Sequence, residues 1–251
     1  MNAENAPHGV LMLRSQGSSD ALTTKLTAQR IPHYPFIVTD IKPVSGAHTA
    51  RPSAHPDLLV FLSHNAVRFG TRILEEFKTV PTVAIGHSTA GALRAVGRDP
   101  QLIPDDFSSE GLIAALSNHP RGTHIGLVCG RRGRQVFETH AERCGFRVTR
   151  FEVYERLQAH PPLDALTLVR TGLLNHQFRL TTATSVELLQ HAVALINTAE
   201  VALQSLPVVC LSARIRTAAE TMGFTKTFHA DPSDQDAFIA ELARHWRNAA
   251  N

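Results

Sequence analysis

The sequence predicts an α/β protein of two similar lobes, each a parallel sheet flanked by helices, joined by a two-stranded extended connector. Three observations carry this. Short β-branched runs alternate with helical patterns, two proline-bounded extended segments interrupt the alternation, and segments of the two halves repeat one another.

The alternation comes first. Strands are predicted at residues 10–14, 58–63, 82–86, 124–130, 178–182 and 208–212, each followed by apolar residues at three- and four-residue spacing. Helices are predicted over residues 18–30, 65–77, 88–96, 108–116, 135–144, 185–199, 213–222 and 234–247. A strand, a helix and another strand in one sheet run parallel, so helices cover both faces.

Two segments depart from the pattern. Residues 32–56 hold five prolines (Pro32, Pro35, Pro43, Pro52, Pro56) around the strand-like run 36–41, and residues 147–162 read as extended chain before His160, Pro161 and Pro162. If the chain leaves one lobe through the first and returns through the second, residues 1–33 plus 165–251 form one lobe and 54–147 the other. Residues 34–53 and 148–164 are then the connector strands.

The repeat supports that division. Residues 62–67 (Leu-Ser-His-Asn-Ala-Val) align with 181–186 (Thr-Thr-Ala-Thr-Ser-Val). Val83-Ala84-Ile85-Gly86 with Gly97 aligns with Val209-Cys210-Leu211-Ser212 with Gly223, and residues 113–116 align with 239–242. Two lobes related by duplication are expected to face each other across a cleft.

Composition limits the function classes. The 251 residues are 43% hydrophobic and 19% charged, a globular composition, and no apolar run approaches the ~18–20 residues of a membrane span. Residues 1–9 lack a basic leader, so the chain is expected to be cytoplasmic, and no exposed apolar seam argues against a monomer. Cys129, Cys144 and Cys210 form no CxxC pair and are expected as reduced core residues. The 14 histidines are scattered without metal-ligand spacing, so no metal is expected. A net charge of +3, with arginine far outnumbering lysine, suits a small anionic substrate and falls short of a nucleic-acid-binding stripe.

Ligands of parallel sheets bind beyond the carboxyl ends of the strands, where helix N-termini offer unpaired N–H groups to anions. Four strand ends carry suitable residues: Ser63 with Asn65; Gly86 with Ser88 and Thr89; Thr182; and Ser212 with Arg214. Each hydroxyl is both a helix-capping type and a possible ligand contact. Gly130-Arg131-Arg132-Gly133-Arg134 follows a strand and opens a helix, which sets Gly130, Arg131 and Arg134 to hold an anion or to form a solvated basic turn; it matches neither GxGxxG nor GxxxxGK[ST]. Arg14 ends the first strand. Tyr154 stands in the returning connector, as a proton donor or as hinge packing. Glu152 and Glu155 are expected to point outward, and Asp57 to sit at the start of its strand. No G-x-S-x-G, HRD or DFG motif is present.

These residues resemble the uroporphyrinogen-III synthase family across most of the chain. The resemblance runs through Arg14, residues 59–67 (Leu-Val-Phe-Leu-Ser-His-Asn-Ala-Val), residues 83–90 (Val-Ala-Ile-Gly-His-Ser-Thr-Ala), Gly97, Pro104, residues 108–112, residues 130–134, Gly145, and Val153-Tyr154. It implies two α/β lobes and a cofactor-free cyclisation of the linear tetrapyrrole hydroxymethylbilane, with loss of water and inversion of the last ring through a spiro intermediate. The family's tyrosine falls on Tyr154 and its hydroxyl after the first-lobe glycine on Thr89. The chain departs from the family at Leu13-Arg14-Ser15, at His176 in place of an aspartate, and at Ile215 in place of a hydroxyl residue. The competing expectations are a non-catalytic two-lobe cytoplasmic binding protein for a small polyanion and a flavodoxin-like carrier, the latter lacking a phosphate loop.

Overall fold

The computed structural model describes residues 9–18, 20–44, 55–106, 109–131, 135–231 and 234–248. The chain separates into two compact units, Met1–Ile41 with Leu157–Asn251, and Lys42–Arg156. Elements are numbered in chain order through both units.

The first unit is built on β1 (Gly9–Ser15), β2 (His33–Pro43), β7 (Phe178–Ala183), β8 (Val208–Cys210) and β9 (Thr227–His229), all parallel, in the order β2-β1-β7-β8-β9. Alternation along β1 sorts its side chains. Leu11 and Leu13 join Val169, Leu173, Leu188, Leu189 and Ile215 under α7 (Leu163–Leu174), α8 (Val186–Ile196) and α9 (Ala213–Thr221). Val10 and Met12 join Leu22, Leu26, Phe238, Ile239 and Leu242 under α1 (Ala21–Ala28) and α10 (Gln235–Asn248). Each such side chain contributes about 1.5–3 kcal/mol when fully buried.

The second unit repeats the plan from a different starting point. Its strands are β3 (Leu58–Phe61), β4 (Thr82–Ala84), β5 (His124–Gly130) and β6 (Arg147–Gln158), parallel, in the order β4-β3-β5-β6, with a further parallel bridge from Val83 to Leu102. Strands β5, β6, β3, β4 and the Leu102 bridge thus hold the places of β1, β2, β7, β8 and β9. Leu58, Val60, Leu127 and Phe137 pack beneath α5 (Ser109–Ala115) and α6 (Val136–Arg143). α2 (His64–Phe69) and α4 (His87–Ala95) pack together, while α3 (Thr71–Glu76) continues from α2.

The register corrects the sequence alignment of the halves. Leu59 pairs with Thr82 as Thr181 pairs with Val208, so Ser63 corresponds to Ser185. Both serines cap helices: Ser63 Oγ accepts from the Ala66 N–H at 3.0 Å and Ser185 Oγ from the Leu188 N–H at 3.1 Å. Thr182, aligned with Ser63 from sequence, lies inside its strand. The run Thr181-Thr182-Ala183-Thr184-Ser185 offers hydroxyls at neighbouring positions, and composition alone picks the wrong one.

Other differences have local causes. The helix predicted over residues 65–77 divides at Gly70, where a β-carbon would stand 2.4 Å from the Ala66 carbonyl oxygen. The helix predicted to residue 199 ends at Ile196, where Asn197 Oδ1 accepts from the Leu203 N–H at 2.9 Å. α7 and β9 were not predicted. Cys129 and Cys210 are buried, and burial pushes both thiols up to about 12, but Cys144 is exposed and no core residue.

Candidate active site

Parallel strands bring their carboxyl ends to one edge of a sheet. In the second unit that edge carries Ser63 after β3, Gly86 before α4, Gly130 and Arg131 at the end of β5, and Tyr154, which pairs with Gly130. Tyr154 is 3% exposed. Its ring lies on the α-carbon of Gly130, so that a β-carbon there would be 2.7 Å from the tyrosine Cζ. The ring also stacks with Phe69, with centroids 6.0 Å apart and planes at 29°.

The phenol oxygen has two partners among the described residues. Arg156 Nη2 donates to it at 3.1 Å, and Ser63 Oγ lies at 3.1 Å. The Arg156 guanidinium also sits 5.2 Å from the tyrosine ring centroid. His64, exposed in the first turn of α2, is held below the ordinary histidine range by desolvation and by the Arg68 and Arg156 charges.

Behind the tyrosine, ion pairs brace β5 and β6. The Arg131 N–H donates to the Tyr154 carbonyl at 2.7 Å, and its guanidinium meets Glu155 at 3.3 Å and Glu152 at 3.6 Å. These glutamates, expected to point outward, are part-exposed and hold the part-exposed Arg131. Arg150 pairs with Glu138 and donates to the Gly130 carbonyl at 3.3 Å. Asp57, at its strand start, accepts from the His124 N–H at 2.8 Å.

Asn65 and Thr89 are buried, at 5% and 3%, while Ser88 is exposed. Gly86 is extended, with φ −175°, and precedes α4. In the first unit, Arg14 is half-buried near the end of β1, and desolvation lowers its guanidinium against the opposing charge of Asp20. The Thr182 hydroxyl accepts from the Leu13 N–H at 3.2 Å and is 1% exposed, so it ties β7 to β1. Ser212 precedes α9 without a side-chain cap, and Arg214 is exposed in the first turn. Ile215 is 2% exposed in the apolar core, where a hydroxyl would be costly, and His176 ends α7 at φ +55°. Arg134 lies outside the described residues.

Comparison with known proteins decides the family. The family model of uroporphyrinogen-III synthase HemD matches residues 33–240. The chain belongs to the uroporphyrinogen-III synthase family. The uroporphyrinogen-III synthetase of Helicobacter pylori superposes with a TM-score of 0.65 at 13% identity, covering 94% of this chain and 98% of that one. A variant of the Thermus thermophilus synthase gives 0.54 at 15% identity, covering 96% and 98%. No curated protein sequence matches significantly. Uroporphyrinogen-III synthases are cofactor-independent cyclising lyases of tetrapyrrole biosynthesis, so side chains and backbone dipoles supply the catalysis. Among the described residues no group of three or more His, Cys, Asp or Glu side chains could hold a metal ion, and no helix is long and apolar enough to cross a membrane.

Sequence reading missed Arg156 and Ser185. Arg156 had a signal: two residues beyond Tyr154 on one strand, it projects from the same face. Ser185 had one too, a serine directly before an apolar helical run.

Proposed function

We propose that the chain performs its family's reaction, cyclising hydroxymethylbilane to uroporphyrinogen III with loss of water and inversion of ring D. The family match over residues 33–240 carries this reading, and the Tyr154 cluster gives it a chemical centre. Ring closure starts when hydroxide leaves the terminal hydroxymethyl carbon, driven by the pyrrole nitrogen lone pair. Hydroxide leaves poorly, so a proton delivered as the bond breaks lowers the barrier, a contribution of about 10²–10⁴-fold. We assign the supply of that proton to the hydrogen-bonded cluster centred on the Tyr154 hydroxyl.

The substrate's eight carboxylates need donors. Arg14, Arg131, Arg134 and Arg214, the helix starts at Ser63, Asn65, Gly86, Ser88 and Thr89, the Gly130 turn, and in the first unit Ser212 are the proposed binding residues. In this reading Thr182 contributes by fixing the end of β7. We also place the protein in the cytoplasm as a monomer: three free cysteines suit a reducing compartment, and one chain holds the whole Tyr154 cluster. The experiment compares wild type with Tyr154→Phe on freshly generated hydroxymethylbilane. Turnover falls at least about tenfold in the variant while the unfolding temperature holds. Equal rates would make Tyr154 a packing residue.

A further inference from the structure

The hydrogen bonds around Tyr154 have a direction. Arg156 can only donate, so it occupies one lone pair of the phenol oxygen. The Tyr154 O–H is buried and must itself find an acceptor, and among the described residues Ser63 Oγ is the one within reach, at 3.1 Å. Ser63 Oγ already accepts from the Ala66 N–H at 3.0 Å as the cap of α2. With both lone pairs filled, by the tyrosine and by the helix amide, the Ser63 hydroxyl has only its proton left to offer. Ser63 is half-buried where Tyr154 is 3% exposed, so the serine is the member of the pair that a ligand reaches.

We propose that Ser63, and not Tyr154, hands the proton to the departing hydroxyl, with Tyr154 refilling the serine from behind and Arg156 facing the charge left on the tyrosine oxygen. This rests on the reaction assigned above and specifies its acid. The step balances. The carbon–oxygen bond of the hydroxymethyl group breaks as the Ser63 proton reaches the oxygen, water leaves, and the pyrrole lone pair forms the azafulvenium. The Tyr154 proton moves to Ser63. When the closing pyrrole carbon regains aromaticity it sheds a proton, which returns through Ser63 to the tyrosine oxygen. Tyr154 is thus a positioning and relay residue, and helix α2 orients the donor by capping.

Three variants and their combination test the relay with the full-length protein. Ser63→Gly removes the hydroxyl while leaving a residue that helix N-caps tolerate, so the unfolding temperature holds. It lowers kcat by at least about tenfold, like Tyr154→Phe, with little change in KM, and the double variant is no slower than the slower single one. Ser63→Thr, which keeps cap and hydroxyl, restores most of the rate lost in Ser63→Gly. A Ser63→Gly or a Tyr154→Phe protein with near wild-type kcat overturns the relay, as does a double variant whose losses multiply. Wild type that makes no type III product at all removes the underlying function and the relay with it. Active wild type beside active Ser63→Gly removes the relay alone.

Discussion

Gly130 and Tyr154 are paired across β5 and β6 so closely that the tyrosine ring occupies the space of the missing glycine side chain, 2.7 Å from where a β-carbon would sit. The glycine is needed for this contact and for no positive φ. Gly130→Ala therefore pushes the ring away from Ser63, and overpacking of this kind costs about 1–3 kcal/mol. Denaturant unfolding reads that loss, and kcat falls by more than the stability change accounts for, because the 3.1 Å contact to Ser63 opens.

His64 sets a pH dependence. Its folded-state pKa lies below the ordinary value because desolvation, Arg68 and Arg156 disfavour the imidazolium. The unfolded state then binds more protons, so the stability His64 contributes is present above its unfolded pKa, near 6.5, and is lost as pH falls through that value toward the lowered folded one. His64→Gln flattens the stability profile in that window. A bound polycarboxylate has the opposite effect on the group and raises the His64 pKa, which histidine NMR titration with and without the tetrapyrrole product measures.

Arg14 lies at the carboxyl edge of the first unit, and we propose that it holds a substrate carboxylate. Arg14→Ala raises KM more than it lowers kcat, and the KM of wild type climbs with salt more steeply than that of the variant. Identical salt slopes would place Arg14 outside the substrate contacts.

His176 sits in the left-handed region that ends α7, where the Gln177 N–H reaches the Gly172 carbonyl at 2.8 Å. Glycine adopts this conformation without the β-carbon penalty, so His176→Gly stabilises the fold by about 0.5–1 kcal/mol, read by thermal unfolding. The equivalent ends of α4 and α9 already carry Gly97 and Gly223 at φ +76° and +92°.

The parallel α/β plan was legible because burial on both faces forces apolar strands, and β5 matched residue for residue. α7 was hidden: Leu163, Leu166, Leu168, Val169, Leu173 and Leu174 crowd most faces of a helix, so no stripe marks its period, and Pro161 and Pro162 suggested that the extended chain continued. The break at Gly70 depends on space against a carbonyl one turn back, which periodicity does not record. At the site, Ser63 and Gly130 were visible as strand-end residues and Tyr154 as a residue of the returning connector. Arg156 was not, because a charged residue in a predicted connector reads as solvated until the strand pleat sets it beside the phenol.

Ring closure with inversion of ring D is what separates catalysis by this chain from the spontaneous reaction of its substrate. The most direct measurement is the isomer ratio formed when purified protein meets freshly generated hydroxymethylbilane, with the products oxidised and separated chromatographically. Type III is expected in large excess over type I, at a rate proportional to protein concentration. Only the spontaneous type I product, formed at the rate of the protein-free control, would contradict that expectation.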